Sequence, residues 1–138
     1  MTVDNACDEP LPPLAAEAIA LFNAGEFYRQ HDLLEALWRA EPRAIRDLYQ
    51  GILQVGVAYY QVTRGNPLGA AKLLLRAARW LDPLPDSCQG VNVAQLRADA
   101  AAVLAALRTL GVEGIASFDR ALLKPVLWTP EPPPADPL

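Results

Sequence analysis

Histidine occurs once and cysteine twice in this chain of 138 residues, and those shortages remove whole classes of chemistry. Catalytic zinc normally takes three protein ligands, often histidines, and structural zinc takes four Cys or His side chains, so no conventional metal centre is expected. A di-iron site would need paired Glu-x-x-His motifs, which are absent. Cys7 and Cys88 lie far apart and outside any CxxC pairing. A disulfide between them can be drawn, but Cys7 falls in an expected flexible leader, and two free thiols in a reducing compartment is the reading taken. Positive charge is also short: 12 Lys and Arg against 16 Asp and Glu leave a formal charge of -4. That balance argues against a generic nucleic-acid surface, which needs clustered cations to displace phosphate counterions.

Long apolar runs are missing too. The longest uncharged stretch, Leu48 to Thr63, falls short of the ~20 residues that span a bilayer and carries three glutamines. The start, MTVDNACDEPLPP, has acids and prolines where a signal peptide has a basic end and an apolar run. No membrane segment is expected, and the chain reads as cytoplasmic. Asn-Gly and Asp-Gly, the strongest hairpin signals, do not occur, and no useful stretch alternates with period two.

What remains is helical. Apolar residues make up 52% of the chain and charged residues 20%, enough to build a core without staples. Thirteen prolines and eight glycines punctuate it. A first helix opens at Pro13 and closes at Gly25. The second runs from Glu26 to Ala40, and the third from about Arg43 to Arg64. Asn66-Pro67 caps a fourth that ends near Leu81. Residues 82–91 read as a loop. Asn92 with Gln95 resembles a capping box and opens a fifth helix that Gly111 stops. Ile115 to Leu123 forms a short sixth piece. The expected organisation is a disordered leader over 1–12, an all-α bundle of five to six antiparallel helices over 13–124, and a Pro-rich tail over 125–138.

The second helix holds the polar oddity. At about 100° per residue its apolar stripe is Phe27, Leu34 and Trp38, and His31 falls inside it with Glu35 on its shoulder. On the third helix Gln50, Gln54 and Gln61 project within about 40° of one another from an otherwise apolar surface. Buried amides, an imidazole and a carboxylate each cost on the order of 2 kcal/mol unless hydrogen-bonded. The expectation is therefore a buried network in which His31 and Glu35 face Gln50 and Gln54, beside Trp38. Lys72, Arg76 and Arg79 form a separate basic stripe, most simply a solvated face.

The same residues carry a resemblance. Phe22, Asn23, Gly25, Phe27, His31, Asp32, Glu35, Trp38 and Arg39, followed by Gln50, Gly51, Gln54, Arg64, Gly65, Asn66, Gly69 and Ala70, are similar to the pattern of the family catalogued as domain of unknown function 309. Members often carry Glu at the positions of Arg29 and Asp32, so a carboxylate site there would be altered in this chain. The resemblance implies an all-helical fold and no assigned activity.

Two functions from different classes fit these residues. The first is a non-catalytic interaction or small-ligand module using the polar network. The alternative is an enzyme of unrecognised type, hydrolase-like, with His31 as general base and Glu35 orienting it. No nucleophile motif accompanies them, so no catalytic residue is assigned, no cofactor is expected, and a second copy or another protein remains open as partner.

Overall fold

The computed structural model describes residues 6–129. The chain is all-α, and among the described residues it has five long helices and one small hairpin: α1 (Pro13–Asn23), α2 (Arg29–Ala40), α3 (Arg46–Thr63), α4 (Pro67–Leu81), strands β1 (Ser87–Cys88) and β2 (Val91–Asn92), and α5 (Val93–Gly114). Each helix packs against the next, and α3 is the central member, flanked by α2 and α4. Leu48, Tyr49, Ile52, Val55, Ala58 and Tyr59 of α3 have no accessible surface, as expected of the least charged helix.

Local chemistry sets the boundaries. Pro13 opens α1 where its missing N–H costs nothing, and Gly25 follows in the left-handed region at φ 84°. The Asn66 and Asn92 side chains accept from the N–H groups of Gly69 and Gln95, capping α4 and α5. Gly111, at φ 66°, breaks the helical path of α5. The expected sixth helix is instead two separate 3₁₀ turns, Ile115–Ser117 and Arg120–Leu122.

Four expectations need correction. The helix expected from Glu26 starts at Arg29, because residues 26–28 form the turn after Gly25. The loop at 82–91 contains a hairpin: Cys88 pairs with Val91 across Gln89 (φ 50°) and Gly90 (φ 82°), the two positive dihedrals of a type I′ turn, made by Gln-Gly. Cys7 and Cys88 are not free thiols but a disulfide. Finally, residues placed in the leader and tail join the fold. Ala6 and Cys7 are buried, Gln89 is buried and donates to the carbonyls of Cys7 and Ala6, and Arg43 bridges Glu9 and Glu41. At the other end Asn23 makes a two-way amide contact with the Val126 backbone (2.8 and 3.0 Å), and Trp128 bridges Val91. The remaining leader and tail positions, 1–5 and 130–138, lie outside the described residues.

Candidate functional site

Displacing the start of α2 changes which side chain faces the core. With Phe27 outside the helix, the inward stripe is Gln30 and Leu34, both buried, with Leu37 and Trp38 half-buried, at spacings of four, seven and eight. Gln30 takes the inward place expected of His31. It is fully buried, and its amide donates to the carbonyls of Phe27 (2.9 Å) and Leu53 (3.3 Å). Gly56 makes room for it, since a Cβ there would overlap the Gln30 amide.

His31 sits at the edge of that stripe, its side chain 29% exposed. Its ring stacks on Tyr28 at 5.7 Å, and Tyr28 in turn meets Tyr60 at 4.9 Å. Asp32 approaches Nδ1 at 3.3 Å, and Glu35 approaches Nε2 at 3.7 Å. Glu35 is shared, because its other oxygen accepts from Arg39 at 2.8 Å. The His31–Glu35 pair is thus present, but it is a rim feature, and among the described residues no Ser, Thr or Cys side chain is bonded to it.

Helices α2 and α3 run antiparallel, with Tyr28 beside Tyr60 and Trp38 beneath the Arg46 guanidinium (4.2 Å). In that register His31 and Glu35 stand level with Gln54 and Gln50, yet among the described residues no hydrogen bond joins the pairs. The network expected to link them is not formed. The physical reason is the other neighbour of α3: Gln50 and Gln54 border the cleft towards α4 instead.

That cleft, about 460 Å³, is lined by Asp47, Gln50 and Gln54 from α3 and Arg76, Arg79 and Trp80 from α4. Gly51 lets the two helices approach closely, since a Cβ there would meet Leu81. Among the described residues neither arginine has a carboxylate partner, and Gln54 Oε1 is buried with no hydrogen-bond donor. Burial raises the Asp47 carboxyl above the usual aspartate range, only partly countered by Arg46 beside it. Lys72 extends the cationic wall along the outside of α4. The basic stripe expected to be an ordinary solvated face therefore supplies two of the cleft's residues. Periodicity marked its cations and the glutamine row separately; what it could not give was the rotation of α3 against α4. Among the described residues no cluster of three His, Cys, Asp or Glu side chains could hold a metal.

Comparison with known proteins covers the same segments. Residues 15–73 match the family described as Domain of unknown function (DUF309), a span that takes in α1, α2, α3 and the start of α4. An uncharacterized protein of Aquifex aeolicus (strain VF5) is 32% identical over 86 residues, which are 62% of this chain. The chain spans about a quarter (26%) of that relative's length. The span that matches the DUF309 model takes in the His31–Glu35 pair and the Gln50–Gln54 row.

Proposed function

We propose that this domain is a non-catalytic binding module for a small organic anion, held between α3 and α4. The observation that carries the reading is the convergence of two arginines without carboxylate partners on a cleft floored by amides. Guanidinium forks match carboxylate and phosphate oxygens in geometry as well as charge. Gln54 Oε1 is a buried acceptor in need of a donor, so the ligand carries a hydroxyl, amine or amide N–H besides its anionic group. Trp80 offers an apolar face to the ligand's body. Asp47 lines the same cleft, its carboxyl raised above the ordinary range by burial.

Titration of the isotope-labelled protein with inorganic phosphate and with lactate, followed by amide and indole NMR signals, tests this. The expected result is saturable shifts at the Gln50 and Gln54 side-chain amides and the Trp80 indole, stronger for lactate, which carries a hydroxyl donor. Shifts scattered over the surface, or confined to the Tyr28–His31 rim, would refute it.

A further inference from the structure

Cys7 and Cys88 join residues 6–10 to the hairpin, and their two sulfurs are placed differently. Cys88 is 1% exposed, whereas Cys7 lines an open cleft of about 280 Å³ with Asp8, Glu9, Ser87 and Gln89. Apart from the disulfide, the polar ties between this segment and the rest of the described residues come from two side chains and one backbone amide. Gln89 donates through its N–H to the Cys7 carbonyl (2.7 Å) and through its side-chain amide to the Ala6 carbonyl (3.0 Å). Arg43 pairs with Glu9 at 2.8 Å, both side chains about half exposed, where ion pairs hold little. Gln89 is itself held in a left-handed backbone, φ 50°, that disfavours a residue with a Cβ. Its Oε1 accepts from the Tyr49 hydroxyl at 2.8 Å, so one residue joins the segment, the hairpin and α3.

We propose that this disulfide is a redox latch: a dithiol reductant opens it through the cleft, residues 6–10 leave the hairpin, and the helical core stays folded. The thiolate of the dithiol attacks Cys7 Sγ, the sulfur that lines the opening, and the Cys7–Cys88 bond breaks. Cys88 departs as a thiolate and takes up a proton. The second thiol of the reductant then attacks the mixed disulfide, freeing Cys7 as a thiol and leaving the reductant as its own cyclic disulfide. Two electrons and two protons have passed to the protein, and a disulfide oxidant reverses the exchange. What remains on the segment is then two hydrogen bonds and a solvated ion pair, set against the freedom of a chain end. The core does not depend on it, since α3 is enclosed by α2 and α4. Departure of the segment uncovers the Cys88 thiol and removes both acceptors from Gln89, so the reduced form displays a hairpin tip that the oxidised form covers. The switch is therefore local unfolding of one edge of the molecule, biased by a covalent bond. It stands apart from the ligand reading, because the cleft between α3 and α4 shares no lining residue with this one.

Amide hydrogen exchange of the full chain, read by NMR before and after dithiothreitol without denaturant, tests the latch. The bond should open in the folded protein, and the Glu9 and Gln89 amides should lose protection at least about tenfold while Leu53 and Val55 of α3 keep theirs. Reoxidation with diamide should restore the first pattern. Cys7→Ser should show the released pattern without reductant, and if that variant fails to fold, the reduced wild type decides alone. A disulfide that resists dithiothreitol until the chain is denatured overturns the inference, because the cleft then gives no access. Unchanged protection at Gln89 after reduction also overturns it. So does a loss that reaches α3 to the same degree, which would make the bond a staple of the whole fold.

Discussion

Gln30 and His31 are adjacent, and exchanging their places accounts for most of what the sequence left unread at residue scale. A stripe anchored on Phe27 centres near His31; without Phe27 the stripe centres on Gln30, Leu34 and Leu37, and His31 falls at its edge. Helix starts are hard to place without a cap, and no side chain caps this one. Gln30→Ala removes two hydrogen bonds, one of them fully buried, and leaves a cavity, so urea unfolding should show a loss of about 2–4 kcal/mol. His31→Ala should cost under about 1 kcal/mol, because the ring sits on the rim and completes no buried network. A larger loss there than at Gln30 would restore the inward-facing imidazole. Asp47 gives a pH signature. Its carboxyl is raised in the folded protein, so the folded state holds the proton more tightly than the unfolded chain. The associated stability is full below the ordinary value of 3.8 and is lost as pH rises through the raised one. Asp47→Asn should therefore flatten the fall in unfolding midpoint across that acidic range and leave the mutant more stable than the wild type at neutral pH.

At the scale of elements, the cores of all five helices were legible, because proline, glycine and asparagine mark their ends and apolar spacing marks their faces. The hairpin was not, since Gln-Gly is a weaker turn signal than Asn-Gly and its strands are two residues long. The disulfide followed from neither cysteine's neighbours. It depends on the N-terminal segment crossing the hairpin, where Gln89 bonds back to Cys7 at 2.7 Å. Cys7 and Cys88 close a loop with a separation of 81. Reduction should lower stability by about 4.5 kcal/mol at most on loop-entropy grounds, read as the shift in urea midpoint with and without dithiothreitol. An unchanged midpoint would show that the hairpin and N-terminal segment hold together without the bond. Tyr49 joins the same region to α3 through a 2.8 Å bond from its hydroxyl to Gln89. Burial pushes this phenol up to about 12. Its contribution is intact below the ordinary 10.0 and disappears as pH rises towards about 12, so alkaline unfolding should track tyrosinate absorbance. Tyr49→Phe should remove that step.

For the whole molecule, the net charge of -4 hides a division of labour. Acids and cations alternate around the rim of α2, where Glu35 is held by Arg39, while Arg76 and Arg79 on α4 have no such partner among the described residues. Composition averages over that difference, which is why overall acidity argues against a generic nucleic-acid surface but gives no hint of a local anion site. The most direct test is calorimetric titration of lactate into the wild type and into Arg76→Gln combined with Arg79→Gln. The account predicts measurable binding to the wild type, weakened at least about tenfold in the double variant, with binding unchanged in His31→Ala. Equal affinity in the arginine variant, or a loss confined to His31→Ala, would contradict it.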